Sequence, residues 1–339
     1  MGASDIHFSV GRYPTLRIDG NLTPLKDEKV LDATDTRELA FLILGEERRE
    51  KFLKRRELDL AYEYKGKARF RVNVFFQRGV ISVALRLIPS RIRTIEELNL
   101  PPILHRFTEL EQGFILITGP TGHGKSTTLA ALIDEINRER EDHIITIEDP
   151  IEYVFSQDKS IIDQREVGYD TLDFHRALRS TLRQDPDVIM VGEMRDYESI
   201  AIALTAAETG HLVFSTLHTN SAAQTVDRII DIFPAEQQNQ VRSQLAFVLK
   251  GVVSQRLLSR RQGGRIPACE IMIGTPAVAN IIRENRTHEL NTVISTSREK
   301  GMIPLNESLK ELFQRGEITF EEAMKYSLDP EDLKLRLRM

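Results

Sequence analysis

Nine consecutive residues have the spacing of a phosphate-binding loop. The run is Gly119-Pro120-Thr121-Gly122-His123-Gly124-Lys125-Ser126-Thr127, which has the pattern G-x-x-x-x-G-K-[ST]. It follows an apolar run at 114–118 and precedes a helical pattern at 127–137. Glycines in this setting let backbone N–H groups turn toward phosphate oxygens, and the following helix presents its positive end to the same anion. The sequence therefore predicts an ATP site in which Lys125 contacts the β- and γ-phosphates and Ser126 binds Mg²⁺.

Two acidic stretches follow apolar runs that have the character of buried strands. The run at 188–191 leads into Gly192-Glu193, and the run at 144–147 leads into Glu148-Asp149-Pro150-Ile151-Glu152. Carboxylates at the carboxyl ends of parallel strands face the crevice in which ligands bind. We expect Glu193 to activate the attacking water and to contact Mg²⁺ through a water molecule. Glu148 or Glu152 could equally position the water or the metal.

A histidine stands at each end of another apolar run, 212–215. His211 precedes this run, and His218 lies in the polar segment that follows it. A polar segment after a buried strand is typical of a γ-phosphate sensor, which makes both histidines catalytic candidates, with a structural role as the alternative. His123 occupies a variable position of the phosphate loop, where we expect it to line the site without a catalytic role.

Length and composition limit the classes of protein that remain. The 339 residues are enough for two domains of about 100–200 residues each. The balance of 46 Lys+Arg against 51 Asp+Glu gives no support to a general electrostatic hold on nucleic acid. The single cysteine, Cys269, excludes a four-cysteine zinc site and is expected to be a small buried residue. No apolar run approaches the roughly 20 residues that span a bilayer and no signal peptide is evident, so we expect a cytoplasmic protein without membrane insertion.

The pattern of apolar residues changes along the chain. Residues 1–88 alternate as an antiparallel sheet does, with strands at 58–64, 70–76 and 81–87 and one helix at 36–44 that ends at Gly45. A linker is predicted at 89–102. From 103 to 339 short apolar runs alternate with helical patterns, which indicates a parallel sheet covered on both faces. The helical patterns are at 172–184, 198–208, 277–283, 304–315 and 319–326.

Four motifs in a fixed order give the chain a family resemblance. The phosphate loop, the acidic box at 147–152, the acidic strand end at 191–196 and the histidine segment at 205–222 occur in this order in type II secretion and type IV pilus ATPases. Within that family the chain resembles the retraction ATPases over essentially its whole length, including Ser4-Asp5-Ile6-His7 and residues 277–284. Two departures are Val278-Ala279, where retraction ATPases typically have Ile-Arg, and a start later than is normal, as though a first helix had been trimmed.

The resemblance implies a fold, an assembly and an activity. It implies an α/β protein with a RecA-like P-loop core (103–339) and an α+β, PAS-like amino-terminal domain (1–88). The subunits would form a homo-hexamer with ATP at domain and subunit boundaries. The ring would drive pilus retraction with an inner-membrane platform protein, at the inner face of the cytoplasmic membrane. The alternatives are a RecA-like nucleic-acid translocase, which the acidic net charge disfavours, and a metabolic kinase, which would need a pocket for a small acceptor.

Two arginines are expected to face each other across a hairpin. If residues 77–80 form the turn, Phe76 faces Ile81 and every apolar residue lies on one side, while Arg71 stands opposite Arg86 on the other. Like charges in opposed positions are unfavourable, so we expect an anion between them. We interpret both as arginine fingers for the γ-phosphate, with two solvated arginines as the alternative.

Overall fold

A computed structural model describes residues 3–18, 20–88, 91–194 and 196–337. The chain divides into two compact units, of which one holds the residues up to Arg91 together with Pro150–Val154, and the other holds Ile92–Asp149 and the residues from Phe155 onward. The division into 1–88, 89–102 and 103–339 stays a prediction, and residues 89 and 90 of that linker lie outside the described residues. In the part of the chain that is described, no helix has the length and apolar character needed to cross a bilayer.

The described residues of the amino-terminal unit form a sheet of six antiparallel strands with one helix packed against it. The elements are β1 Ala3–Phe8, β2 Thr15–Ile18, β3 Asn21–Pro24, α1 Ala33–Arg55, β4 Glu57–Tyr64, β5 Ala68–Gln77 and β6 Val80–Ile88. The strands lie in the order β3-β2-β1-β6-β5-β4. Apolar residues of α1 and of β4, β5 and β6 form a single buried cluster. The predicted antiparallel sheet is confirmed, and β1 to β3 are additions to it.

Helix α1 is longer than the sequence predicted. Gly45 has φ 65° and ψ −179°, so the regular helix breaks where the prediction ended it. The helix then resumes and continues to Arg55. Its second half is held by Phe52, which is fully buried and stacks on Phe76 with 5.1 Å between ring centroids. The predicted helix end at Gly45 therefore agrees with the break in α1, whereas the helical segment from 46 to 55 was not predicted, because the charged run at 46–51 shows no apolar pattern.

The register of β5 and β6 agrees with the prediction. The paired positions are Phe76 with Ile81, Val74 with Val83, Val72 with Leu85 and Arg71 with Arg86. Arg78 and Gly79 form the turn with φ of 51° and 84°, the left-handed backbone of the two-residue turns that match strand twist. The apolar residues consequently lie on the face that packs against α1.

In the part of the second unit that the structure describes, seven strands form a sheet, and six of them run parallel. The strands are β7 Gly113–Thr118, β8 His143–Glu148, β9 Ile161–Glu166, β10 Val188–Val191, β11 Leu212–Leu217, β12 Leu249–Ser259 and β13 Arg265–Ile273. Their order is β13-β12-β7-β11-β10-β8-β9, and only β13 is antiparallel to its neighbour. The predicted parallel sheet is confirmed, and with it the α/β fold class. Its carboxyl edge carries the ends of β7, β8, β10 and β11, the strands that precede the predicted motifs.

Helices cover this sheet. They are α2 His105–Thr108, α3 Lys125–Glu139, α4 Phe174–Thr181, α5 Tyr197–Glu208, α6 Ala222–Asp231, α7 Ala235–Val248, α8 Pro276–Arg283, α9 Leu290–Thr296, α10 Leu305–Gln314, α11 Phe320–Tyr326 and α12 Pro330–Leu337, with short 3₁₀ turns at Pro102–Leu104, Thr287–Glu289 and Arg298–Lys300. Residues 114–117 of β7 are all fully buried, so both faces of this central strand are covered. The helices predicted at 172–184, 198–208 and beyond 275 are present with shifted ends.

The carboxy-terminal helices pack against the β12–β13 hairpin. Leu258 and Ile266 of the hairpin form a buried cluster with residues of α10, α11 and α12. Cys269 of β13 is fully buried, and burial raises the pKa of its thiol to about 12. The prediction that Cys269 is a small buried residue is confirmed.

Candidate active site

The phosphate loop connects β7 to α3 at the carboxyl edge of the sheet. Gly119 has φ 141°, and a Cβ there would overlap the carbonyl oxygen of Gln255, so this position requires glycine. Gly124 is the N-cap residue of α3 with φ 82°, and it provides no side-chain cap. The amino end of α3 therefore carries no side-chain cap and directly follows the loop, the arrangement that the predicted phosphate site requires.

The structure brings Lys125, His218 and Glu193 together. The Lys125 ammonium is buried and donates to the carbonyl oxygens of Gly119 at 2.8 Å and Pro120 at 3.1 Å. Nζ of Lys125 lies 3.4 Å from Nδ1 of His218, and Nε2 of His218 lies 2.9 Å from Oε1 of Glu193. Three motifs that are distant in sequence meet because β11 lies between β7 and β10.

The contacts of His218 define which ring nitrogen carries the proton in its neutral form. A lysine ammonium has donors only, so Nδ1 of His218 accepts from Lys125. Nε2 then carries the hydrogen and donates it to the Glu193 carboxylate. Thr121 of the phosphate loop, whose hydroxyl lies 3.4 Å from the same Nδ1, is a further neighbour. His218 consequently connects the loop lysine to the acid that was predicted to activate water.

Glu148 lies at the end of β8, next to Glu193's strand. It is 7% exposed, and its Oε1 accepts hydrogen bonds from the Thr146 hydroxyl at 2.7 Å and the Gln164 amide at 3.2 Å. Gly192, which precedes Glu193, donates its N–H to the carbonyl of Ile147 at 2.8 Å. Two protein donors fix this carboxylate, which favours a positioning role over proton transfer.

Glu152 and the two arginines belong to the amino-terminal unit. Arg71 lies 3.5 Å from Glu152, and Arg86 Nε donates to Asp5 at 2.9 Å. Burial opposes the ionisation of Asp5, but hydrogen bonds from Ser4 and Arg86 keep its pKa below the usual value. Carboxylates of the same unit therefore lie beside both arginines, so their opposed register can also be explained without an external anion. Their role as arginine fingers stays a prediction.

The hydrogen bonds of His211 and His123 with backbone groups support no catalytic role for either residue. His211 precedes β11, and Leu212, which follows it, pairs with Gly113 at the amino end of β7. The six residues of β11 separate it from the carboxyl edge by about 20 Å. Its Nδ1 lies 2.9 Å from the carbonyl of Ala206, which fits the structural alternative. Nδ1 of His123 accepts from the backbone N–H of Leu257 at 2.9 Å, consistent with no catalytic role.

The residues near the loop fit a nucleotide-bound Mg²⁺ better than a cation held by protein alone. Ser126 lies in the first turn of α3 and Glu193 is 24% exposed, and both offer the hard oxygen ligands that Mg²⁺ prefers. Within the described ranges, no group of three or more His, Cys, Asp and Glu residues could hold a metal by itself. Phosphate oxygens and water would supply the other ligands. Arg195, in the same predicted segment as Glu193, lies outside the described residues.

Strand β12 supplies polar contacts that sequence reasoning missed. The Gln255 amide donates to the carbonyl of His123 at 2.8 Å, and its oxygen accepts from the Thr128 hydroxyl at 2.7 Å. Arg256 contacts Asn220, two residues after His218. The available signal was the polar triplet at 254–256 inside an otherwise apolar stretch, 252–258.

Comparison with known proteins gives near full-length matches. The family described as type II/IV secretion system protein matches residues 54–325. The Pseudomonas aeruginosa type IV pilus retraction ATPase PilT is 48% identical over 337 residues, 98% of this chain and 96% of that protein. A Neisseria gonorrhoeae twitching motility protein is 45% identical over 321 residues, 94% of this chain and 86% of that protein.

A solved structure agrees with these relatives. The crystal structure of the pilus retraction motor PilT with bound ADP superimposes with a TM-score of 0.93 at 49% identity, over 100% of this chain and 96% of that one. The family match includes the phosphate loop and the segments that carry Glu193 and His218. The chain therefore belongs to the type II/IV secretion system protein family.

Proposed function

We propose that this chain is a motor ATPase that hydrolyses ATP to drive type IV pilus retraction, and hence pilus disassembly and twitching motility. The observation that carries the proposal is the convergence of Lys125, His218 and Glu193 beside a phosphate loop, in a chain that is similar to PilT over 98% of its length. The chain is an ATPase, and hydrolysis is the step that this cluster would perform.

Each group in the cluster has a distinct task in the proposed reaction. Backbone N–H groups of the loop and of the start of α3 bind the phosphates, and Lys125 offsets charge on the β- and γ-phosphates. Mg²⁺, when bound, would neutralise developing charge on the phosphate oxygens, with Ser126 as its protein ligand. Glu193, oriented by His218, takes the proton of the attacking water. His218 also contacts Lys125, which binds the γ-phosphate in this proposal. A change at the γ-phosphate would therefore alter the position of Glu193 through His218.

The assembly and its partners are part of the same proposal. By its family the chain would act as a homo-hexamer with the pilus machinery, on an inner-membrane platform protein at the inner face of the cytoplasmic membrane. Arg71 and Arg86 would act on the γ-phosphate. Light scattering coupled to gel filtration would test the ring directly, since a 38.7 kDa subunit that remains monomeric with ATP present would contradict it.

Phenotype separates retraction from the other uses of such a motor. Deletion of the gene should leave cells with pili that cannot twitch, and an allele encoding Lys125→Ala should fail to restore twitching. Bald cells would instead assign the chain to pilus extension.

Two measurements distinguish the motor ATPase from a metabolic kinase and from a nucleic-acid translocase. ATP hydrolysis without an added acceptor would exclude a kinase, which has little turnover when its acceptor substrate is absent. Salt-dependent DNA binding with stimulated turnover would favour the nucleic-acid translocase.

A further inference from the structure

The β12–β13 hairpin carries two buried charges that the mechanism above does not use. Arg256 is 5% exposed and Glu270 is 7% exposed. Arg256 pairs with Ala268 and Glu270 pairs with Ser254, so the two charged side chains are diagonal neighbours on one face of the hairpin. Buried charges are costly unless they are paired or hydrogen-bonded, so their partners indicate what they are for.

Both charges hold the same short segment, which joins β11 to α6. Arg256 donates to the carbonyl oxygen of Asn220 at 3.1 Å and to its side-chain oxygen at 2.9 Å. Glu270 accepts the backbone N–H of Ala222, the first residue of α6, at 2.7 Å. A carboxylate at this place also favours the positive end of the helix. We call Arg256 and Glu270 the hairpin clamp, since a cation holds a carbonyl and a carboxylate holds an N–H two residues further on.

His218 lies between the clamp and the phosphate loop. On its amino-terminal side, the N–H of Gly119 donates to the carbonyl of Leu217 at 3.2 Å. On its carboxy-terminal side, Thr219 shares a 2.6 Å hydrogen bond with the Thr225 hydroxyl, and Asn220 is held by Arg256. The contacts of His218 with Lys125 and Glu193 therefore depend on a segment that is fixed at both ends.

We propose that Arg256 is a positioning residue for ATP hydrolysis, which holds His218 in place between Lys125 and Glu193. The inference rests on the proposed ATPase function and adds Arg256 to it. Arg256 also donates to the carbonyl oxygen of Gln255 at 3.3 Å. Loss of Arg256 should slow turnover while ATP binding persists, because the side chain of Gln255 keeps its own hydrogen bonds with His123 and Thr128. The guanidinium is suited to this task because its rigid fork can hold a backbone and a side-chain oxygen together.

The test compares four variants of the full-length protein with the unaltered chain. Arg256→Met removes the charge at similar length, Arg256→Lys keeps it, Asn220→Ala removes one acceptor, and Arg256→Met is combined with Asn220→Ala. Steady-state kcat is measured alongside the Kd of a fluorescent ATP analogue, with thermal melting to establish folding. Arg260→Met is the matched control, since it removes an arginine of the same hairpin that pairs with Glu317 at 2.7 Å.

We expect Arg256→Met to lower kcat by about ten- to a hundredfold with little change in Kd, as loss of hydrogen bonds from a charged donor would produce. Arg256→Lys should recover part of this loss, Arg260→Met should behave as the unaltered chain does, and the double variant should be no worse than Arg256→Met alone. The inference would be overturned if Arg256→Met lost kcat and ATP affinity equally or kept an unchanged kcat. It would also be overturned if the effects of Arg256→Met and Asn220→Ala on kcat multiplied in the double variant. If Arg256→Met does not fold, an unchanged kcat in Asn220→Ala would overturn it. Absence of ATP hydrolysis by the unaltered chain would instead contradict the proposed function.

Discussion

Replacing Glu193 by glutamine should separate ATP binding from ATP hydrolysis. The carboxylate accepts the Nε2 hydrogen of His218 at 2.9 Å, and the amide oxygen of glutamine can accept the same hydrogen bond. The side chain consequently keeps its place beside His218 and Lys125. What the variant loses is the ability to take a proton from the attacking water.

The size of the effect follows from that single loss. General base catalysis typically contributes about 10²–10⁴ in rate, so kcat should fall by this factor. The affinity for Mg-ATP should change little, since the phosphates are bound by the loop, by Lys125 and by the start of α3. A large kcat effect with an almost constant Kd is therefore the expected result.

Phosphate release at saturating Mg-ATP measures the rate, and a fluorescent ATP analogue measures binding. Glu198→Gln is a matched control, because Glu198 lies in the same unit and also pairs with a histidine, His175, at 3.3 Å. This control should retain normal turnover. The reasoning is refuted if Glu193→Gln hydrolyses ATP normally while Glu148→Gln or Glu152→Gln does not, which would place the base in the acidic box.

Three further predictions concern the loop, the arginines and pH. Lys125→Ala should abolish turnover without unfolding, checked by phosphate release and thermal melting, and retention of most activity would contradict the phosphate site. Arg71→Ala and Arg86→Ala should each be inactive alone. If these arginines act on a neighbour's ATP, either variant should regain activity in verified mixed rings with Lys125→Ala. No recovery in any mixture would mean that the arginines act within their own subunit or have only a structural role. The hydrogen bond with Glu135 raises the pKa of His105 above 6.5, although burial acts in the opposite direction. The stability that this hydrogen bond contributes is therefore complete below about pH 6.5 and is lost as the pH rises through the pKa of the folded state. Denaturant unfolding of the unaltered chain and His105→Gln should show the difference shrinking with rising pH, and a constant difference would contradict this.

The parts of the fold that short-range patterns determine were predictable. Strand β10 has its predicted bounds, because four apolar residues stand between Asp187 and the Gly192-Glu193 pair. The register of β5 and β6 was also predicted correctly, since a one-residue shift would move every apolar side chain to the wrong face. In both cases the determining information lies within about twenty residues of sequence.

Elements held by distant partners were not predictable in this way. The second half of α1 packs through Phe52, which joins the buried cluster of the sheet and stacks on Phe76. Strands β1, β2 and β3 are four to six residues long, and β3 is exposed along its length, so little hydrophobic pattern marks them. Gln255 and Arg256 of β12 bind other loops. These polar residues interrupt the apolar pattern by which a buried strand is predicted.

In the candidate site, the residue types were predictable from sequence but their contacts with one another were not. The sequence identified Lys125, Glu193 and His218 as candidates, but only the strand order places them within hydrogen-bond distance of one another. The opposed arginines show the converse, because their register was predicted correctly but the carboxylates beside them were not. Asp5 lies 81 positions from Arg86 in the chain, and it offsets a charge that appears unpaired when the hairpin is considered alone. Like charges in a hairpin therefore have to be assessed together with the surrounding residues, since the carboxylates beside this pair come from β1 and from the segment at 150–154.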